Sequence, residues 1–285
     1  MSIVRNTRAM RFELIRKVHL LWYVFAHNYM LRNKKTIMFQ CNICGANNVG
    51  YPIDVYDREK PSCLKCGSNM RARTIVDLLT TRLYGDDQIL AEIQNKRHIR
   101  GLGISDWPGY ADLLSKKFNY QNSFFHKEPK LDITNLNFNE FEKYDFIISS
   151  EVFEHISPPV STGFKNLYRL LKSDGFCLIT VPFVNFGKTM EYYPSLYKYK
   201  IIYDNGQACL LNTTKAGKKQ RFHNLNFHGG GGSTLELRCY TRASLYDELI
   251  FAGFRNIVFH REKKIKFGIN WTVNWSVPIS AAAHS

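Results

Sequence analysis

The sequence has little that would carry it across a membrane. The most apolar stretch near its start, residues 18–31 (VHLLWYVFAHNYML), is shorter than the ~20 residues a helical span needs, and His19, His27 and Asn28 interrupt it. No cleavable signal peptide is visible, so the expected location is cytoplasmic. Internal repeats and low-complexity tracts are also lacking, which excludes repeat architectures and a disordered chain. Acidic residues are scarce: 24 against 39 basic ones, a net charge of +15. A surface so short of carboxylates suits phosphate-bearing partners, among them nucleic acid, anionic lipid and nucleotide-linked substrates. A merely solvated basic surface is the alternative. Cysteine is sparse for a disulfide framework. Of the seven, four fall in two C-x-x-C pairs, which points to metal binding in a reducing compartment.

The remaining composition supports a core. With 285 residues, 45% of them hydrophobic, the chain has room for one large domain plus a small module, or for two domains. The organising stretch is residues 144–183. Asp145 leads into the apolar run Phe146-Ile147-Ile148, which suits a strand buried on both faces of a parallel sheet. The polar loop SSEVFEHISPP follows. Phe164, Leu167, Tyr168, Leu170 and Leu171 then recur at helical spacing, and Ser173-Asp174-Gly175 stops that helix, Gly175 suiting a left-handed position. A second buried strand over residues 176–181 completes a β-α-β unit with a right-handed crossover. Ligands bind beyond the carboxyl ends of such strands, where residues 149–155 sit.

Upstream, Cys41, Cys44, Cys63 and Cys66 form two knuckles separated by eighteen residues, and Gly45 and Gly67 each follow the second cysteine of a pair. This is the four-cysteine pattern of structural zinc, with no coordination position left for substrate. Metal binding could contribute on the order of 10 kcal/mol to folding so small a segment. Before it lies a segment with basic flanks (Arg16, Lys17, Arg32, Lys34, Lys35), read either as a helix on an anionic membrane surface or as one packed on the protein or a partner. After it, a helix over residues 70–84 ends at Gly85, and its Arg71 and Arg73 either hold an anion or tie ribbon to helix.

The large domain begins near Lys96. HIRGLGISDWPGYADLL reads as strand, turn and helix, an arrangement that brings backbone amides to a nucleotide or nucleoside. Gly101 and Gly103 would permit close approach, and Ser105 and Asp106 would supply polar contacts. Residues 119–125 make a second strand. Glu128 and Asp132 follow in a charged loop, where carboxylates could accept from ribose hydroxyls or an adenine amino group. Residues 184–234 read as an irregular insertion, by its length a lid, a binding loop or a disordered segment, with the basic run 215–221 and with His223 and His228 beside four glycines. His228 could serve as a base near neutral pH. Thr241 caps a helix that ends at Gly253. A strand over residues 256–259 and an apolar stretch over 271–279 close the sheet.

YDFIISSEVFEHI, LLKSDGFCLITVPF and YTRASLYDELIFAGFRNI together resemble class I S-adenosylmethionine-dependent methyltransferases of the type 11-like, small-molecule branch related to quinone biosynthesis enzymes. Gly101-Leu-Gly103 holds the place of the glycine motif, and LDITNL, with Asp132, matches the loop that meets the adenine. The ribbon ending CGSNMRAR looks like one that precedes such domains in bacterial methyltransferases. Two departures stand out: Gly101 occupies an acidic place and Ser105 that of the second glycine, and the second strand ends without a carboxylate, for which Glu128 would stand in.

The resemblance implies an α/β fold: a Rossmann-like sheet with helices on both faces. It divides the chain into an N-terminal helical segment (1–38), a zinc ribbon (39–70), a linker helix (71–95) and a catalytic domain (96–285). It further implies S-adenosylmethionine held by Gly101, Gly103, Ser105, Asp106, Glu128, Asp132, Ser149, Ser150 and Glu151. Methyl transfer would be in-line, with His155, then His228, as general base. Glu151, Glu154 and His155 also resemble the E-x-x-E-H of metal-binding quinone methyltransferases, a loop-bracing Glu154-His155 being the alternative. The acceptor would be a small molecule, sugar or glycan. RNA selected by the ribbon and basic surface, and a binding module without activity, are the competing readings.

Overall fold

The structure is a computed structural model that describes residues 36–52, 57–204, 206–228 and 234–283. The N-terminal helix expected over residues 18–31 lies outside them. No helix among the described residues is long and apolar enough to cross a membrane. The chain forms two compact units. One comprises the residues up to Ile93 together with Glu262–Trp271; the other comprises Gln94–Arg261 and Thr272–Ser285. The segment Glu262–Trp271 therefore leaves the domain read at 96–285 and joins the ribbon unit.

In the ribbon unit, β1 (Thr36–Gln40) and β2 (Asn47–Pro52) pair antiparallel. Helix α1 (Met70–Tyr84) starts at Asn69, whose side chain accepts from the Ala72 amide, and stops at left-handed Gly85. Its Arg73 is wholly buried. The guanidinium donates to Ser62 Oγ, to Ser68 O and Oγ and to Gly268 O, and it lies 4.6 Å from the Phe39 ring centre. Lys264 bridges Asp77 at 2.9 Å and Asp87 at 2.5 Å, and the Trp271 indole donates to Thr74 Oγ1. These bonds explain why 262–271 belongs here. Trp271 anchors the ribbon helix, and the strand expected from it begins only at Ile279.

The second unit is built on a six-stranded sheet. β3 (Lys96–Ile104), β4 (Phe118–Ser123), β5 (Tyr144–Ser150) and β6 (Leu171–Thr180) are parallel, in spatial order β4-β3-β5-β6. Phe146, Ile147 and Ile148 are fully buried, as a strand covered on both faces requires. α2 (Pro108–Lys117) packs on β3 and β4, and α3 (Ser161–Leu170) packs on β6.

Between β6 and the end of the sheet lies the insertion, whose described residues form short strands. β9 (Lys198–Asp204), β10 (Gln207–Thr213) and β11 (Lys219–Phe222) form an antiparallel sheet. β12 (Phe227–His228) pairs with β13 (Thr234–Leu235). β7 (Phe183–Val184) and β8 (Met190–Glu191) flank β14 (Arg238–Thr241). A small core of Tyr193, Leu196, Leu210, Leu235 and Leu237 holds the insertion together. Its sequence looked irregular because adjacent aliphatic pairs, Ile201-Ile202 and Leu210-Leu211, break the alternation in its two longest strands, and the others span two to four residues.

Thr241 caps α4 (Arg242–Ala252) through a reciprocal bond with Ser244, and left-handed Gly253 ends it. β15 (Arg255–Phe259) and β16 (Ile279–Ala282) complete the sheet, β16 running antiparallel to β6. The α/β, Rossmann-like sheet follows the sequence reading. One detail differs. α3 ends at Leu170, and the register jumps from Tyr144↔Leu171 to Phe146↔Phe176, so residues 172–175 bulge out of β6. Gly175 is not left-handed there. It is glycine because a Cβ would lie 2.9 Å from the Tyr144 carbonyl oxygen and 3.0 Å from that of Lys172. Backbone cannot move aside as a side-chain tip can. Gly175→Ala should therefore destabilise the unit by about 1–3 kcal/mol, seen as a lower denaturant midpoint with an unchanged slope.

Candidate functional site

From β3 the chain turns one way to β4 and later the other way to β5, so the gap at the carboxyl ends of β3 and β5 is a topological switch point. Ligands of open α/β sheets bind at that crevice. Its rims are strained. Ser105, just past β3, has φ 59°, and Glu151, just past β5, has φ 57°. A left-handed backbone at a residue with a side chain costs on the order of 1 kcal/mol and is retained where surrounding bonds fix it. Here Ser105 N donates to Ser123 O, and Glu151 N donates to Thr180 O, each at 2.8 Å. Ser105 thus takes the place of a glycine while keeping a left-handed turn.

Gly101 and Gly103 lie within β3, and the space beside each is filled by the chain itself. A side chain at Gly101 would run into the Phe146 ring; one at Gly103 would meet the Tyr120 hydroxyl and the Asp106 carboxylate. Asp106 is 2% exposed and accepts from Tyr110 Oη at 2.8 Å and Tyr120 Oη at 2.6 Å. Asn122 bonds both its amide and its carbonyl. Burial first, then the Asp106 charge, pushes the Tyr120 phenol well above its ordinary range, so it stays a donor. Asp106, expected to contact the ligand, is thus an internal brace. Glu128 is exposed and accepts from the Lys130 amide in its own turn; nothing brings it to the crevice.

Two predicted residues, Ser149 and Ser150, stand at the carboxyl end of β5. Ser149 is fully buried, yet its Oγ has no hydrogen-bond partner among the described residues. Ser150 Oγ pairs with Thr180 Oγ1 at 2.9 Å, fixing the adjacent ends of β5 and β6. Asp132 turns Oδ1 onto Thr134 N and Oγ1, while Oδ2 has no partner among the described residues. An orphaned buried hydroxyl beside two left-handed turns fits a polar ligand that completes the bonding. The residues present are compatible with a nucleoside-bearing cofactor, although fewer of them than expected would hold it.

The loop after β5 is braced, not open. His155 Nδ1 donates to Leu235 O at 2.8 Å, and its Nε2 lies 3.5 Å from Oε1 of the fully buried Glu154. Arg238, which the sequence reading overlooked, is 1% exposed; it donates to Ile156 O at 2.6 Å, to Phe153 O at 3.2 Å and to Glu191 Oε1 at 2.8 Å. Tyr240 Oη also donates to Phe153 O. The bracing alternative for Glu154-His155 is what the geometry shows. His228 closes β12, and its side chain lies outside the described residues.

Among the described residues only Cys41, Cys44, Cys63 and Cys66 converge as a metal-binding group, so Glu151, Glu154 and His155 do not form one. The cysteine ligand atoms lie within 4.8 Å of one another, with Cys41–Cys66 at 3.7 Å and Cys44–Cys63 at 3.6 Å. Tetrahedral zinc with bonds near 2.3 Å would set sulfurs about 3.8 Å apart. Left-handed Gly45 and Gly67 donate back to Cys41 O and Cys63 O, closing both knuckles. Arg71 pairs with Glu59 and Arg73 is consumed internally, so these two arginines serve the ribbon's own structure.

Residues 85–179 match the family model described as a methyltransferase domain. By that similarity, across a third of its length, the protein is an enzyme. The match covers β3 to β6 and the crevice between them. No curated protein matches the chain in sequence. Among solved structures it is similar to an S-adenosylmethionine-dependent methyltransferase from Clostridium acetobutylicum, at 16% identity and TM-score 0.38 over 64% of this chain and 82% of that one. It is also similar to CalS10, an amino pentose methyltransferase from Micromonospora echinaspora, at 10% identity and TM-score 0.42 over 76% and 92%. A third is the 1,6-didemethyltoxoflavin-N1-methyltransferase of Burkholderia thailandensis, at 10% identity and TM-score 0.37 over 73% and 76%.

The crevice geometry separates two substitutions that a motif comparison would treat alike. Ser105→Gly relieves a left-handed side chain and should raise stability by roughly 1 kcal/mol, read as a higher melting temperature. Gly103→Ala forces Tyr120 and Asp106 apart and should cost about 1–3 kcal/mol by the same measurement.

Proposed function

We propose that the protein transfers a methyl group from S-adenosylmethionine to a small-molecule acceptor of the sugar, glycan or lipid-linked class, and that zinc on the four cysteines supports its fold. The observation that carries this reading is the orphaned Ser149 hydroxyl at the switch-point crevice, between the left-handed turns at Ser105 and Glu151, inside the matched methyltransferase domain. Backbone amides near Ser105, the Ser149 hydroxyl and the free oxygen of Asp132 would hold the cofactor. Bound there, it supplies an electrophilic methyl on a sulfonium.

The residues of the chain would then act by placement. The hydrogen-bonded ends of β5 and β6 fix one wall of the crevice, and the braced 153–157 loop keeps its shape without waiting for ligand. Orientation of this kind can contribute several kcal/mol to lowering a barrier. His155 has one ring nitrogen on a backbone carbonyl and the other beside Glu154, which suits it to bracing rather than proton transfer. An acceptor that loses its proton readily needs no base; for one that does not, His228 is the proposed base.

Titrating S-adenosylmethionine while following thermal unfolding tests the reading, and no shift at saturation would sink it. Ser149→Ala offers a sharper check. Removing an unpartnered buried hydroxyl should leave the free protein as stable or up to about 1 kcal/mol more so, yet weaken cofactor binding roughly five- to tenfold. Asp132→Ala should also weaken binding without unfolding the domain.

For the ribbon, metal analysis should find one zinc per chain. A strong chelator should lower the melting temperature, and Cys63→Ser should abolish both the bound zinc and the chelator's effect. Retention of full stability by the stripped protein would count against structural zinc.

A further inference from the structure

The insertion carries a strongly basic face. In the β9–β11 sheet, Ile201, Leu210 and Phe222 share one cross-strand row, and Tyr199, Asn212 and Gln220 share another. These rows form the inner side, where Leu210 is wholly buried and Tyr199 and Phe222 pack on the insertion core. The alternate rows are Lys198, Thr213 and Lys219, then Lys200, Leu211 and Arg221. Because side chains alternate along a strand, those four cations share the opposite face. Two edge strands set them about 10 Å apart across it.

Lys215 and Lys218, in the turn between β10 and β11, extend the same charge. Residues 197–223 hold six cations (Lys198, Lys200, Lys215, Lys218, Lys219, Arg221) and one carboxylate, Asp204, for a net +5. Asp204 pairs with Arg221 at 2.5 Å. The five lysines are exposed, and none has an ion-pair partner among the described residues. At the rim, the Tyr197 ring is 51% exposed, with Lys198 Nζ and Lys215 Nζ each 5.8 Å from its centre.

We propose that this outer face docks on an anionic phospholipid membrane. Lysines clustered in this number adsorb to acidic headgroups, and tyrosine favours the bilayer interface. A single-stranded nucleic acid would need rings on which to stack. Apart from rim Tyr197 the face has none among its described residues, and five of its six cations are lysines, without arginine's planar fork. The inner side bonds to the braced loop through Tyr199 Oη and Ser157 Oγ at 2.7 Å, so a docked sheet would carry that loop with it. The inference does not depend on the identity of the methyl acceptor.

Co-sedimentation of the full chain with vesicles provides the test. Binding is expected with phosphatidylcholine–phosphatidylglycerol vesicles at low salt, is lost at high salt, and is absent with phosphatidylcholine alone. Each cation near such a surface contributes about fivefold. Lys198→Gln/Lys200→Gln/Lys219→Gln should therefore lower the partition about a hundredfold, and the triple glutamate variant, which reverses those charges, should lower it further. Lys116→Glu/Lys127→Glu/Lys165→Glu changes the net charge equally, on other elements of the same unit, and should stay within a few-fold of the parent. Every variant keeps the basic N-terminal segment, so the difference between the triples reads the sheet. Thermal melts matching the parent establish that they fold. No vesicle binding by the parent, or equal losses in both glutamate triples, would overturn the proposal. So would a short RNA oligonucleotide that binds and is lost with the sheet lysines while vesicles do not bind.

Discussion

Burial of one guanidinium organises the catalytic unit. Arg238 sits at the start of β14, almost without solvent, and spends its donors on Phe153 O, Ile156 O and Glu191 Oε1. A charge taken out of water costs several kcal/mol unless it is paired and hydrogen-bonded, so this arrangement persists only if all three segments stay in place. The loop after β5, the short strand β8 and β14 are thereby made interdependent. Tyr240 adds a fourth tie: burial foremost raises its phenol far above the usual range, keeping it a donor to Phe153 O. The insertion is therefore part of the domain's architecture. Its Leu235 and Leu237 return to the same loop through His155 Nδ1 and Glu154 O.

The crevice shows a related economy. Where glycines at a strand end would usually be read as space for a ligand, those of β3 make space for Phe146 and Tyr120. The left-handed turn at the crevice falls two positions after Gly103, on Ser105. This accounts for the eroded look of the glycine motif. The backbone shape at Ser105 is retained although its residue type has changed, and Asp106 supports that shape from below through two tyrosines and Asn122. Ligand recognition is then left to groups without internal employment, of which Ser149 Oγ is the most deeply buried.

What the sequence made legible follows from how local each signal is. The two-sided burial of Phe146-Ile147-Ile148, the caps at Thr241, Gly253 and Gly85, and the paired cysteine knuckles each depend on neighbours within a few residues, and each is where it was expected. Arg238, Glu191 and the Tyr110–Tyr120 clasp on Asp106 depend on residues brought together by folding, and single residue types carry no mark of such a partner. The same reason hid the role of 262–271. Lys264 and Trp271 read as an ordinary loop and strand until Asp77, Asp87 and Thr74 are placed beside them. The insertion failed differently: Ile201-Ile202 and Leu210-Leu211 break the alternation of its two longest strands, and its other strands span two to four residues.

Charge has been distributed by use. Arg71, Arg73 and Arg238 are consumed internally by Glu59, by serine and carbonyl oxygens, and by Glu191, and each is the planar donor that such multidentate sites require. Lys264 is consumed in the same way by Asp77 and Asp87. Lysine dominates the insertion's outer face, where the one carboxylate, Asp204, is taken by Arg221. The net charge therefore overstates the cations offered by the ribbon and understates the local field at the β9–β11 sheet. A charge total is a property of the chain, but recognition responds to the cations left over once the fold has satisfied itself.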